Sequence, residues 1–244
     1  PPVFNGTLPE LSEKEHSGQL LSFQTPAVDR NGQVCLGLFP AQLYCLNPDG
    51  TSAWEGALEG PPGGSLVIDS QNWVFAGSYQ RVQAFTSDGS LLWRGYPGSG
   101  PVAGMALSPD QQTLYVASEM GQLAALNRNT GFERWVQDVD SSLVTTPVVD
   151  AAGAVYLGTR LGVWYRIEGQ TGRVLWTFQG DGDIAPQSAP ALFKRFVYLP
   201  QAEGVLYALR DTGQHLWTWR GPGKIVGSPL VTQAGFVYVL TQPG

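Results

Sequence analysis

Short runs of β-branched and aromatic residues alternate with turns rich in glycine and aspartate along almost the whole chain. Residues 146–150 (TPVVD), 154–159 (AVYLGT), 163–167 (VWYRI) and 173–178 (RVLWTF) show the pattern, which predicts four consecutive β-strands. No segment sustains apolar residues at helical spacing between capping signals. The chain is therefore predicted to be all-β.

A tryptophan follows a glycine at a fixed distance five times, and the same order of predicted strands returns around each one. These repeat tryptophans are Trp54, Trp93, Trp135, Trp176 and Trp217. Their spacing lies between 39 and 42 residues. A period of about 40–45 residues with four short strands is typical of β-propeller blades.

A single four-stranded sheet of this kind would expose two apolar faces, so the repeats must stack around a common axis. We expect one domain with an N-terminal extension at residues 1–16. The five complete blades are predicted at residues 25–56, 64–95, 102–137, 144–178 and 187–219. Residues 17–24 and 226–242 are predicted to form a composite last blade, giving six. The alternative is part of a ring of seven or eight blades.

The repeat tryptophans are predicted to have a structural role, because a large flat side chain fills the wedge between neighbouring blades.

Composition restricts the classes of partner that the chain can bind. The net charge of −6 disfavours nucleic acid and anionic membranes, both of which attract basic surfaces. No apolar stretch reaches the length of a membrane-spanning helix.

Cys35 and Cys45 fall in neighbouring strands of one predicted hairpin, at equal distances from its turn. They could face each other across the strands. A disulfide and two free buried thiols are both compatible with this spacing, because a bond depends on the distance and direction of the side chains.

The repeated order of an sPvv strand, a vYvg strand, an lyAl strand and a tGxxxW strand resembles the pyrroloquinoline-quinone-like, or quinoprotein-dehydrogenase-like, repeat family. The resemblance covers about residues 17–242 and is strongest at residues 188–217. The pattern differs from WD40 repeats, because no repeat tryptophan is followed by aspartate.

The resemblance implies one of two functional classes. Quinoprotein dehydrogenases have eight blades, a bound quinone with calcium, and a disulfide between adjacent cysteines. This chain has room for about six blades, and its cysteines stand ten positions apart. It looks closer to non-catalytic propellers, such as the lipoprotein propeller of the bacterial outer-membrane β-barrel assembly machinery. We therefore expect a protein-binding scaffold outside the cytoplasm, with no enzymatic activity and no cofactor. A quinone- or metal-dependent oxidoreductase, or a ligand-binding propeller, is the alternative.

The loops that join the second strand to the third, and one blade to the next, should lie on the same face of a propeller. Four aspartates fall in two consecutive loops of this face: Asp138, Asp140, Asp181 and Asp183. Such a group could bind a cation, since hard cations prefer oxygen ligands. Aspartates are also common turn residues, and this interpretation is favoured here.

Aromatic residues that break the repeat are not required by its architecture, and exposed aromatic and arginine side chains are enriched at protein interfaces. The predicted partner-binding residues are Trp73, Tyr79, Tyr96, Arg160 and Trp164. Trp219 also departs from the repeat.

Overall fold

The computed structural model describes residues 25–139, 141–185 and 188–243. Within these residues the chain forms 24 β-strands, all paired antiparallel, and no helix. Five sheets have four strands in sequence order. The predicted all-β propeller of four-stranded antiparallel blades is confirmed.

The five complete blades follow one another along the chain. The first is β1 (Ala27–Val28), β2 (Val34–Leu38), β3 (Gln42–Leu46) and β4 (Ser52–Ala57). The second is β5 (Val67–Ile68), β6 (Val74–Gly77), β7 (Val82–Phe85) and β8 (Leu91–Gly95). The third is β9 (Val102–Leu107), β10 (Thr113–Ser118), β11 (Gln122–Asn127) and β12 (Glu133–Asp138). The fourth is β13 (Val148–Val149), β14 (Ala154–Gly158), β15 (Val163–Glu168) and β16 (Val174–Gln179). The fifth is β17 (Ala191–Phe193), β18 (Phe196–Gln201), β19 (Val205–Arg210) and β20 (His215–Arg220).

A sixth blade begins at the C-terminal end with two bent strands. Its segments are β21 (Gly223–Ile225), β22 (Leu230–Val231), β23 (Val237–Tyr238) and β24 (Thr241–Pro243). β22 pairs with β23, and β21 pairs with β24. The pairing of Leu230 with Tyr238 repeats that of Val148 with Tyr156 between the first two strands of the fourth blade. The N-terminal strand predicted for this blade at residues 17–24 lies outside the described residues.

Aspartate side chains shape the turns between first and second strands. Asp150 Oδ1 accepts hydrogen bonds of 2.9 Å from the backbone amides of Ala152 and Ala154. Asp29 and Asp69 accept the equivalent bonds in the first and second blades. The local sequence therefore sets the direction of each hairpin, because an aspartate oxygen replaces a backbone acceptor in the turn.

The apolar core lies between blades rather than inside any one of them. Phe75 and Val82 of the second blade, for example, pack with Met105 and Leu114 of the third. Similar clusters join the other neighbouring blades, and Ile225 of the sixth blade packs on the fifth. The second to fifth blades therefore bury both faces of their sheets.

Trp93 shows how a repeat tryptophan joins two blades. Its ring lies against Gly131, in the turn between the third and fourth strands of the next blade. Its indole N–H donates a 2.9 Å hydrogen bond to the carbonyl of Arg128 in the same turn. Gly131 has a φ of +70°, a conformation that favours glycine, and a Cβ there would clash with the ring. Trp93 is only 8% exposed.

The two cysteines form a disulfide, which resolves the alternatives left open by the sequence. Cys35 on β2 stands directly opposite Cys45 on β3, and their Cα atoms lie 4.1 Å apart. Both are buried in the cluster between the first and second blades. The bond therefore links neighbouring strands of one blade.

Candidate functional site: the mouth of the propeller

The turns between second and third strands meet the blade-to-blade loops at one end of the propeller axis, which we call the mouth face. A cavity of about 340 Å³ lies there between the second, third and fourth blades. Blade-to-blade loops form its wall, at residues 61–64, 101–103 and 142–144. Tyr79, Glu119 and Arg160, from three successive second-to-third turns, stand around it.

Close contact between backbones near the axis makes this wall tight. A Cβ on Gly104 would lie 2.7 Å from the Cα of Thr146 in the next blade. The first strands of the third and fourth blades can therefore approach each other only because residue 104 lacks a side chain. The mouth is shaped by backbone, and its chemistry comes from the turn side chains around it.

Four successive blades each present one large apolar side chain from the second-to-third turn to solvent. These residues, with their exposed fractions, are Phe39 (49%), Tyr79 (58%), Met120 (66%) and Leu161 (59%). We call them the apolar rim. An apolar surface that recurs at one end of a propeller is a candidate for protein contact, because burial in an interface would remove it from water.

Tyr96 lies beside this rim in the loop after the second blade and is 60% exposed. The guanidinium of Arg81 lies 4.1 Å from the centre of its ring. Glu59 forms ion pairs with Arg81, at 2.8 Å, and with Arg94. The charge of Arg81 is therefore balanced by Glu59, and not by the aspartates of the mouth face.

Arg160 is exposed at the cavity edge. Its backbone amide donates to the carbonyl of Ser142, which holds the turn against the neighbouring loop. Within the described parts of the chain, no carboxylate lies within ion-pair distance of its guanidinium. Arg160 therefore offers a cation beside the apolar rim.

The structure does not bring the predicted aspartates together. Asp138 accepts a 2.8 Å hydrogen bond from Gln122, and Asp181 pairs with Arg220 at 2.7 Å. The Arg220 guanidinium, helped by the Tyr207 hydroxyl, holds the pKa of the Asp181 carboxyl below its usual range. No group of three or more potential metal ligands occurs among residues 25–139, 141–185 and 188–243. Asp140 lies outside the described residues, and Asp183 is exposed.

Two of the predicted partner-binding residues have other contacts. Trp164 is completely buried between the fourth and fifth blades, so the prediction that it binds a partner is wrong. Trp164 lies on β15, the third strand of the fourth blade, and both faces of this blade are covered by neighbouring blades. Trp73 is half-buried on the face opposite the mouth, where the Arg128 guanidinium lies 3.5 Å from its ring centre. It therefore makes an internal cation–π contact away from Tyr79 and Tyr96.

Sequence reasoning missed three members of the rim: Phe39, Met120 and Leu161. The signal was present, because each is a large apolar residue in a turn just before a third strand. Turns usually carry polar residues or glycine. An apolar residue recurring at this point of the repeat could have identified the rim.

No helix of the described residues has the length and hydropathy needed to cross a membrane.

Comparison with known proteins agrees with this fold. The family model described as outer membrane protein assembly factor BamB matches residues 10–110 and 103–242. The chain is 30% identical over 209 residues to outer membrane protein assembly factor BamB of Alkalilimnicola ehrlichii. That alignment covers 76% of this chain and 50% of the relative, so the chain spans about half the length of the curated protein it matches.

The structure is also similar to the crystal structure of BamB from Moraxella catarrhalis. The TM-score is 0.67 at 22% identity, and the match covers 88% of this chain and 68% of that one. This likeness shows the shared fold. The family match extends over nearly the whole repeat array. The chain therefore belongs to the outer membrane protein assembly factor BamB family, a family of pyrroloquinoline-quinone-like propellers.

Proposed function

We propose that this protein is a non-enzymatic scaffold that binds a protein partner through the mouth face, as part of outer-membrane protein assembly outside the cytoplasm. The observation that carries the proposal is the apolar rim. Tyr79, Met120 and Leu161 stand exposed at corresponding turns of successive blades, and Tyr79, Glu119 and Arg160 of the same three turns line a cavity. The relative from Alkalilimnicola ehrlichii suggests the process, because it is an outer membrane protein assembly factor.

The chemistry of the rim indicates the kind of partner surface that fits it. Exposed apolar side chains favour an apolar segment of the partner, and Arg160 favours a carboxylate at its edge. Glu59 is shared by Arg81 and Arg94, so this cluster adds one net positive charge near the rim. The proposed function requires no cofactor.

Affinity purification from the cell envelope tests this proposal. The tagged full chain is compared with a Tyr79→Ser/Leu161→Ser double variant. We expect the variant to capture at most about one tenth of the partner protein that the unmodified chain captures, because the loss of each apolar contact residue weakens binding by about 1–2 kcal/mol. Exposed surface substitutions of this type leave the thermal unfolding midpoint nearly unchanged.

Phe132→Ser is the matched control. Phe132 is 76% exposed but lies in a turn between third and fourth strands, on the face opposite the mouth. The control should retain the partner at the level of the unmodified chain. Equal retention by the double rim variant, or equal loss in the control, would show that the mouth face is not the binding surface.

A further inference from the structure

On the face opposite the mouth, a slot lies between the first-to-second turn of one blade and the third-to-fourth turn of the next. In the slot between the second and third blades, the guanidinium of Arg128 lies on the Trp73 ring and pairs with Asp69. The side-chain oxygens of Gln71 and Asn129 each accept a 2.8 Å hydrogen bond from it. One carboxylate and two amide oxygens therefore hold a buried guanidinium.

The corresponding slot between the third and fourth blades has no arginine of its own. Trp93 donates its indole N–H to the carbonyl of Arg128. In the next blade, Trp135 donates to the carbonyl of Gly169, which therefore takes the position of Arg128. A Cβ on Gly169 would lie 2.3 Å from the hydroxyl oxygen of Tyr115, so no side chain fits there. A pocket of about 410 Å³ occupies this open slot, a size that is usual for ligand pockets.

Polar side chains stand in the open slot at the positions that hold Arg128 in the filled one. The two first-to-second turns correspond, because the carbonyls of Asp69 and Ser108 each accept from the amide three residues further on. The oxygen ligands of Arg128 thus have counterparts: Ser108 stands for Asp69, Asp110 for Gln71, and Gln170 for Asn129. All three counterparts line the pocket. The carboxylate has therefore moved two residues along the turn, to Asp110.

Tyr115 adds a hydroxyl to the pocket lining. The residue is only 3% exposed, and its hydroxyl has no hydrogen-bond partner among the residues that the structure describes. In the fourth blade, the hydroxyl of the corresponding Tyr156 donates a 3.0 Å hydrogen bond to Asp150. Ser108 replaces that aspartate in the third blade, so the hydroxyl of Tyr115 is left for a ligand.

The carboxylate of Asp110 is charged and has an oxygen to offer. The Ser108 hydroxyl and the Gln112 amide both donate to Oδ1, and they hold the pKa of this carboxyl below its usual range. Within residues 25–139, 141–185 and 188–243, Oδ2 accepts no hydrogen bond. Arg134 lies at the pocket, where it donates a 3.0 Å hydrogen bond to the Gln112 carbonyl and forms no ion pair with Asp110. Oδ2 is therefore available to a cation that enters.

We propose that the pocket between the third and fourth blades binds the guanidinium of an arginine side chain from a partner protein, as the neighbouring slot binds that of Arg128. The carboxylate of Asp110 supplies the charge, and the oxygens of Tyr115 and Gln170 accept further hydrogen bonds. Arginine fits this set better than lysine, because its planar group presents five donors in a fixed arrangement. The site lies on the face opposite the mouth, so its occupation is independent of partner binding there.

An NMR titration of the ¹⁵N-labelled full chain tests this site, with the blocked tripeptide acetyl-Gly-Arg-Gly-amide as the probe. We expect saturable shifts at the amides of residues 108–113 and 169–170, with a dissociation constant of about 1 mM. The same peptide with citrulline in place of arginine keeps the shape and loses the charge, so it should bind about tenfold more weakly. Methylguanidinium should bind no more tightly than the arginine peptide, because the proposed occupant is carried on a polypeptide.

Variants of the pocket separate its parts. Asp110→Asn should weaken binding of the arginine peptide about tenfold, and Arg134→Gln should tighten it by removing a like charge. Tyr115→Phe should weaken binding and leave the unfolding midpoint nearly unchanged, because its hydroxyl bonds no described group. The matched control is Tyr156→Phe, which removes the hydrogen bond to Asp150 and should leave binding unchanged.

Each contrary result overturns the proposal. These results are the absence of saturable shifts up to about 50 mM peptide, equal binding of the citrulline peptide, and unchanged affinity in Asp110→Asn. Binding of methylguanidinium about tenfold tighter than that of the peptide would show that only a free small cation enters.

Discussion

Replacing Trp93 with alanine tests the physical basis of the propeller, because this residue joins the second and third blades. It is 8% exposed, packs among buried residues of both blades, and donates a hydrogen bond to the Arg128 carbonyl. Loss of a buried tryptophan ring costs roughly 3–5 kcal/mol. About 1 kcal/mol of that cost comes from the Arg128 carbonyl, which loses its hydrogen-bond donor.

For a chain of this length, each kcal/mol shifts the unfolding midpoint by about 2–4 °C. We therefore expect Trp93→Ala to lower the midpoint by about 6–20 °C. Urea unfolding followed by far-ultraviolet circular dichroism measures the free energy directly. The slope with urea should stay unchanged if the same surface is exposed on unfolding.

Two control variants separate the parts of this effect. Trp93→Phe keeps most of the ring and removes the indole donor, so it should cost less than Trp93→Ala. Leu92→Ala changes a neighbour on the same strand that is 40% exposed, and it should cost no more than about 0.5 kcal/mol. A cost for Trp93→Ala as small as that for Leu92→Ala would refute the idea that the tryptophan holds two blades together.

Four further predictions concern other parts of the molecule. Asp69→Asn should lower the free energy of unfolding, measured by urea denaturation, by about 3–5 kcal/mol, because it leaves the Arg128 charge buried without its carboxylate partner. A loss below about 1 kcal/mol would contradict a stabilising buried ion pair. Reduction of the Cys35–Cys45 bond should cost about 2–3 kcal/mol from the entropy of its ten-residue loop, and a Cys35→Ala/Cys45→Ala chain should melt at the same temperature with or without reductant. Burial, and next the neighbouring Asp150 carboxylate, raise the pKa of Tyr156 above its usual range. The folded state therefore favours the protonated phenol, and the stability that this preference contributes is complete below about pH 10 and is lost as the pH rises through the folded-state pKa. The phenolate absorbance of Tyr156, taken as the difference from a Tyr156→Phe chain, should appear only with unfolding. Calcium added together with pyrroloquinoline quinone at high micromolar concentration should leave the unfolding midpoint unchanged, and a stabilisation of more than about 2 °C would instead favour a ligand-binding propeller.

The mouth face shows where sequence reasoning succeeded and where it could not. Strand order alone placed the second-to-third turns and the blade-to-blade loops at the same end of the molecule, because alternate connections in an antiparallel sheet lie at the same end. It also grouped Asp138 with Asp181. Whether two such carboxylates meet depends on the distance between their loops and on the cations nearby, and Arg220 comes from a later strand of the next blade.

The sequence by itself determined the repeating unit: the strands, the aspartate turns, the tryptophan period and the opposition of Cys35 and Cys45. These features depend on residues close together along the chain, so pattern and spacing are enough to predict them. Only the tertiary structure decided that Trp164 is buried, that Trp73 lies against Arg128, and that the apolar turn residues form a rim. The second to fifth blades are covered on both faces by their neighbours, so the exposure of their side chains is set by residues about forty positions away and not by their own strand.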